Sequence, residues 1–290
     1  MTLEVTHFVQ QFNPPIFVSF IKLLNHLDTP PFLFVLIPAI WVLLGKKTGF
    51  KIFYILLLNG SINILLKSYF AEPRPFILDP SVGIIQVSGY SFPSGAAQTS
   101  ALLSSLILYY WKSKLKWFIA PTYWLLMCFS RVYLGVHFLQ DVIVGSAIGF
   151  SLLPIYVYLF PKIERWFCRF NLLELFYLSE ISLLFLTLAS KNKSLTHFFS
   201  VTLAVTLGYF LSLFFKFEDI KKHFIFKYLI LLPIVISGTF LIYSEAQKLS
   251  ISNLKMKTII ESFLVGIWLS FSPMLISAIF NKYIKRKKTL

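Results

Sequence analysis

The sequence predicts an all-α protein, a polytopic membrane helix bundle with about nine spans. Three observations carry that prediction. Of 290 residues, 57% are hydrophobic and only 13% are charged, against roughly 25% charged in a soluble domain. The apolar residues come in long blocks, not in the half-polar periodic patterns of surface helices. The basic residues collect in alternate loops, as they do on the cytoplasmic side of membrane proteins. In a soluble chain the net charge of +15 would suggest nucleic acid. Here the loop bias explains it, and no nucleic-acid partner is expected. Cys128 and Cys168 are too few for a disulfide framework or a metal cluster. The N-terminal stretch lacks a basic segment followed by an apolar core, so no cleavable signal peptide is expected.

Residues 1–30 hold short apolar pieces broken by Pro14, Pro15, Asp28 and Pro30. The piece Ile16–Leu27 is too short to span and reads as an interfacial helix. A first span runs over 31–44 and ends at Gly45-Lys46-Lys47; a second runs over 52–70. Within it Asn59, Asn63 and Lys67 fall four residues apart, a polar stripe of the kind that pairs helices or lines a cavity. Residues 71–93 are a loop rich in Pro and Gly. Spans follow at 94–111, 117–133 and 138–160, then at 171–190, 195–215, 228–243 and 258–280. The loop 161–169 divides the chain into a five-span unit over 1–160 and a four-span unit, of unknown role, over 161–290.

Lys46, Lys47 and Lys51 share one loop; Lys112, Lys114 and Lys116 share another; Lys162, Arg165 and Arg169 a third. Lys216, Lys221, Lys222 and Lys227 continue the series, and Lys282, Lys285, Arg286, Lys287 and Lys288 close it. These loops are predicted to be cytoplasmic, with the N-terminus outside and the C-terminus inside. Lys191, Lys193, Lys248, Lys255 and Lys257 fit that bias less well. The ends of spans two and four and the starts of three and five then meet at the outer face.

Three charged or glycine-bearing motifs fall there. The first is Lys67, six residues, Arg74-Pro75. The second is Ser91-Phe92-Pro93-Ser94-Gly95-Ala96, and the third is Ser130-Arg131, five residues, His137, three residues, Asp141. Taken alone, the third reads equally as a helix-start ion pair with a capping aspartate. Together, in this order and spacing, the three resemble the type 2 phosphatidic acid phosphatase family, related in fold to vanadium haloperoxidases. The resemblance covers about residues 10–160. It implies a lipid-phosphate phosphatase with no cofactor and no metal, acting on a phosphorylated membrane lipid. It implies phosphate binding by Lys67, Arg74, Ser94, Gly95 and Arg131, a nucleophilic His137 and an orienting Asp141.

Those roles are physically coherent. Phosphoryl transfer spreads charge over three oxygens, so cations and backbone donors do most of the catalysis. Ser94 and Gly95 open a helix, where N–H groups and the dipole favour an anion. An imidazole held at one nitrogen by a carboxylate presents the other to phosphorus.

Ala96 is the departure. The family pattern has histidine there, which protonates the leaving oxygen, and alanine cannot. General acid help is worth about 10²–10⁴-fold. A diphosphate loses less, because its leaving group is a phosphate with a second pKa of about 6. Three readings stand open: an engineered inactive substitution, a naturally inactive relative, or an enzyme with another acid. Tyr90, Ser91 and Gln98 are neighbouring donors, none of them a good acid. Restoring histidine at 96 is expected to raise lipid-phosphate hydrolysis by orders of magnitude. The rival class is a non-catalytic protein that binds or moves a phospholipid or polyprenyl phosphate. Glu180 and Glu261, inside later spans, are open between helix pairing and function. The expected location is a bacterial inner or plasma membrane with the site facing outward; oligomeric state is not predicted.

Overall fold

A computed structural model describes residues 3–167, 169–190, 193–215 and 225–287. Cys168, Lys191, Lys216, Lys221, Lys222, His223 and Lys288 lie outside the described residues. The chain is 82% helical, without strands among the described residues. Among the described residues, four helical stretches are long and apolar enough to cross a membrane: Lys46–Leu78, Leu139–Trp166, Lys193–Phe214 and Leu254–Ile276. Shorter apolar helices cover Pro15–Leu27, Val35–Leu44 and Leu231–Gln247. These are the helices of an integral membrane protein.

In order, the helices are α1 (Glu4–Gln10), α2 (Pro15–Leu24), α3 (Pro30–Leu44), α4 (Lys46–Phe70), α5 (Pro75–Leu78), α6 (Gly95–Tyr110) and α7 (Lys116–Tyr133). Then come α8 (Leu139–Pro154), a π-helical turn at Ile155–Leu159, α9 (Phe160–Phe167), α10 (Leu172–Ala189), α11 (Lys193–Phe214), α12 (Ile225–Gln247) and α13 (Leu254–Lys287). Local chemistry sets several starts. Pro15 opens α2 with its fixed φ, and Ser94 caps α6 through Oγ to the Ala97 N–H. Asn171 and Glu174 form a reciprocal capping box on α10.

The helices form two compact units: an N-terminal one of residues 1–29 and 55–163, and a C-terminal one of 30–54 and 164–290. Helix α3, the expected first span, thus clusters with the later helices.

In the N-terminal unit α6 packs closely on α8. Gly145 and Gly149 make this possible, since a Cβ on them would lie 2.5 Å from the Ser94 carbonyl oxygen and 2.2 Å from that of Gln98. The start of α8 is thereby pressed against the start of α6. Helices α1 and α2 lie on α7. The Gln10 amide donates to the carbonyls of Val82 (2.8 Å) and Tyr133 (2.7 Å), and Ile21 is buried against Tyr133, Leu134 and Val136. Phe12, Ile16, Phe20 and Leu23 remain exposed on the other side, an apolar row of the interfacial type.

In the C-terminal unit α11 packs most extensively on α13. The seam is lined by small residues: a Cβ on Gly208 would strike Ser270 and one on Gly266 would strike Ala204. Such seams let membrane helices approach closely.

Candidate active site

The turn between α7 and α8 presents His137. Gly135 sits in it at φ +70°, and a Cβ there would lie 2.0 Å from the Val82 carbonyl oxygen. Only glycine tolerates both conditions. His137 itself lies just before α8, not on its first turn, and Asp141 is in that first turn. Asp141 does two jobs. Its Oδ2 accepts the Phe138 backbone N–H at 2.9 Å, closing the helix start, and faces His137 Nδ1 at 3.3 Å. The capping role and the histidine-orienting role are one arrangement.

Ser91 adds a third group to that carboxylate. Its hydroxyl donates to Asp141 Oδ2 at 2.5 Å and lies 3.4 Å from His137 Nδ1. The Ser94 N–H donates to the Asp141 carbonyl at 3.0 Å, fastening the second motif to the third through backbone. With Nδ1 turned to Asp141, the network assigns its proton there and leaves the Nε2 lone pair available. Nε2 faces Arg74 Nη1 at 3.2 Å.

Arg74 is 6% exposed and anchored on carbonyls. Nε donates to Gly89 (2.8 Å), Nη2 to Ser88 (3.0 Å) and Nη1 to Val136 (2.9 Å). The guanidinium therefore bridges the 71–93 loop and the His137 turn. Lys67, at the end of α4, donates from Nζ to the carbonyls of Tyr90 (2.5 Å) and Ser91 (2.9 Å). Behind the start of α6, Asn63 Nδ2 donates to the Pro93 carbonyl and to Gln98 Oε1, and Gln98 Nε2 donates to the Asn59 carbonyl. Gly95 lies against this network, where a Cβ would come within 3.0 Å of Asn63 Oδ1. Ala96 is buried.

Arg131 behaves differently from the other two cations. It is buried, with Nε on Ser130 Oγ (3.1 Å) and Nη1 on Asn25 Oδ1 (2.9 Å), a residue from the turn after α2. Direct bonds join His137, Asp141, Ser91 and Arg74; Lys67 and Ser94 join through backbone; Arg131 is tied to the N-terminal segment.

Burial holds the His137 imidazole down to about 3, against the raising effect of the Asp141 hydrogen bond and with the nearby charges of Lys67 and Arg74 acting in the same direction as burial. The ring is neutral at pH 7, the state in which Nε2 carries a lone pair. Beside the site Asp79 is lowered by hydrogen bonds from the Ser81 side chain and backbone, and its carboxylate pairs with His7 at 3.2 Å. Among the described residues, no group of three or more His, Cys, Asp and Glu side chains is placed to hold a metal.

The sequence places Ser91 in the second motif and among the donors near position 96, but shows neither its bond to Asp141 nor Asn25 as the partner of Arg131. Neither carries a signal of its own, since a serine in a Pro/Gly loop and an asparagine after an amphipathic helix are both ordinary.

Residues 48–165 match the model of the PAP2 superfamily. The chain is similar to a phosphatidylglycerophosphatase B of Bacillus subtilis, 29% identical over 156 residues, covering 49% of this chain and 75% of the relative. It is also similar to a dolichyldiphosphatase of Saccharomyces cerevisiae, 31% identical over 140 residues, covering 43% of this chain and 59% of that relative. No solved structure matches it significantly.

Proposed function

We propose that the protein is a membrane lipid-phosphate or lipid-diphosphate phosphatase working through a phosphohistidine on His137. The observation that carries this is the imidazole itself. It is buried and neutral, held at Nδ1 by Asp141, and faces a guanidinium with Nε2. The superfamily match and two lipid phosphatase homologues support the same reading. Substrate phosphate takes the place of Nε2 as the partner of Arg74, and Lys67 and the N–H groups opening α6 gather the remaining oxygens. Nε2 attacks phosphorus, the bond to the lipid oxygen breaks, and water then hydrolyses the phosphohistidine. In this reading the chain crosses the membrane about nine times and the site lies at the outer face of a bacterial inner or plasma membrane, as the loop charge bias supports. The lipid enters sideways with its tail still in the bilayer. The stretch 1–160 is the phosphatase core, and 161–290 is an addition to it.

The relatives' names pair a monoester, phosphatidylglycerophosphate, with a diphosphate of a polyprenol. Ala96 makes the diphosphate the easier substrate, because its leaving group needs a proton least. Ala96 also favours the second reading, a phosphatase-like protein that holds a lipid headgroup without turnover. Phosphate release by the full chain in detergent, from phosphatidic acid, phosphatidylglycerophosphate and a polyprenyl diphosphate, tests both. Release that falls by about 10³-fold or more in His137→Ala supports the enzyme. Release by neither protein, with retained lipid binding, supports the second reading.

A further inference from the structure

Two oxygens, not one, lie against His137 Nδ1. Asp141 Oδ2 is at 3.3 Å and the Ser91 hydroxyl oxygen at 3.4 Å. The same hydroxyl meets Asp141 Oδ2 at 2.5 Å. An ionised carboxylate only accepts, so Ser91 is the donor in that bond and its oxygen lone pairs remain for the Nδ1 proton. That proton therefore has two acceptors at nearly equal reach, and the three groups close a polar triangle. Ser91 is itself anchored. It is fully buried, its N–H donates to the Glu72 carbonyl at 2.9 Å, and its carbonyl accepts Lys67 Nζ at 2.9 Å. One residue of the second motif thus joins the lysine of the first to the aspartate of the third. Asp141 depends on that anchor. Its Oδ1 is buried without a hydrogen-bond partner among the described residues. The rotation of the carboxylate is set instead by the donors gathered on Oδ2: Ser91 O–H, Phe138 N–H and His137 Nδ1.

We infer that Ser91 is a positioning residue for the nucleophile. Its hydroxyl holds the Asp141 carboxylate and the Nδ1 proton in one arrangement, so that a single tautomer of His137, with Nε2 unprotonated, meets phosphorus. The catalytic consequence rests on the phosphatase reading above. The other tautomer, protonated at Nε2, would turn a bare Nδ1 lone pair toward the carboxylate, unless Ser91 swung its hydrogen from Asp141 to His137. Either way a hydrogen bond to a charged group is lost. In the first step the Nε2 lone pair forms the bond to phosphorus, the bond from phosphorus to the lipid oxygen breaks, and its electron pair leaves with that oxygen. The ring becomes cationic while Nδ1 keeps its proton, which Ser91 Oγ and Asp141 Oδ2 hold between them. Ser91 gives up no proton. Without its hydroxyl the carboxylate keeps the Phe138 cap but loses its shortest bond, and the ring loses one of two acceptors.

The test uses the full chain in detergent and two readouts. Nitrogen-15 spectra of histidine-labelled protein, with His137→Ala identifying the signal, report the tautomer whether or not substrate is turned over. The parent is expected to show His137 in the Nδ1–H form alone, and Ser91→Ala a mixture of the two forms. Turnover of 4-nitrophenyl phosphate by Ser91→Ala is expected to fall by about 10–10²-fold in kcat, with KM within about threefold. Because Ser91 acts through Asp141, adding Ser91→Ala to Asp141→Asn costs less than about threefold more. Ser91→Thr, which keeps the hydroxyl, restores the single tautomer. An unchanged tautomer in Ser91→Ala overturns the inference, and leaves the phosphatase reading standing where the parent releases phosphate. An equal loss of turnover in both backgrounds makes the role structural and overturns the inference too. If the tautomer responds to Ser91 but the parent releases no phosphate from 4-nitrophenyl phosphate or from the lipids above, the phosphatase reading is what fails. Ser91 then orients the ring of a site that binds without turnover.

Discussion

Gln98 in α6 bonds Asn59 and Asn63 in α4, whereas Ser200 in α11 bonds the carbonyl of Thr196, four residues back in its own helix. The contrast runs through the two units. In the N-terminal unit buried polar groups join different elements into chains: Arg74 to Ser88, Gly89, Val136 and His137, and Asp141 to Ser91 and Phe138. In the C-terminal unit Thr202, Thr206, Thr239 and Thr258 all donate to carbonyls four residues earlier. Its cross-helix bonds include single part-buried pairs, Tyr54 with Thr206 and His197 with Ser262, and more exposed groupings in which Lys47 and Lys51 meet Glu164 and Glu261 meets Gln247 and Lys257. A joined polar network fixes geometry at a high cost when it is broken. Hydroxyls satisfied within their own helix let a segment be buried in lipid and demand little of their neighbours. One unit is built to hold charges in place, the other to pack.

The comparison breaks most sharply at Asp141. Replacing it with Asn keeps the volume and the Phe138 cap but gives Nδ1 an amide where the carboxylate was. Phosphate release is expected to fall by about 10²–10⁴-fold, the range seen when a histidine loses its orienting carboxylate. A loss under tenfold, measured with 4-nitrophenyl phosphate, would mean that the cap is the whole role of this residue.

The next effect is on protonation. With His137 held at about 3, the folded protein binds fewer protons than the unfolded chain between that value and the ordinary 6.5. Its contribution to stability is therefore fully present above 6.5 and is lost as pH falls toward 3. Carbon-13 spectra of histidine-labelled protein, with His137→Ala identifying the resonance, are expected to show no titration of this ring down to pH 5. A midpoint near 6.5 would place the ring in water and sink the account of its burial.

What the sequence made legible follows the same contrast. The spans could be read because long apolar blocks have few alternatives in lipid. Their ends could not: α13 runs over Leu254–Lys287, beyond the 258–280 block, since lysines continue a helix into water without a breaker. His137 and Asp141 stood out because charge is costly in this chain, and they do meet. Ser91 lay within the second motif, but its bond to Asp141 was not legible, because a hydroxyl can find a partner almost anywhere. The partner of Arg131 was out of reach for another reason. Asn25 lies 106 residues away in sequence, and no local pattern encodes so distant a contact.

Smaller effects sharpen the comparison in its own terms. Gln98→Leu removes an acceptor from Asn63 and a donor from the Asn59 carbonyl, all buried. It is expected to destabilise by about 1–3 kcal/mol, read from unfolding in denaturing detergent. Ser200→Ala also deletes a fully buried hydroxyl, whose bond to Thr196 is a short 2.7 Å. The Thr196 carbonyl is already an intrahelical acceptor, so little is left unsatisfied when the hydroxyl goes. The expected cost is about 0.5 kcal/mol, close to what single polar contacts between membrane helices average. If Ser200→Ala costs as much as Gln98→Leu, burial alone sets the price and the distinction between joined and self-satisfied groups falls. If it costs nothing measurable, the C-terminal unit owes its stability to the small-residue seam of Ala204, Gly208, Gly266 and Ser270. Substitutions along that seam, not its hydroxyls, are then where the unit is vulnerable.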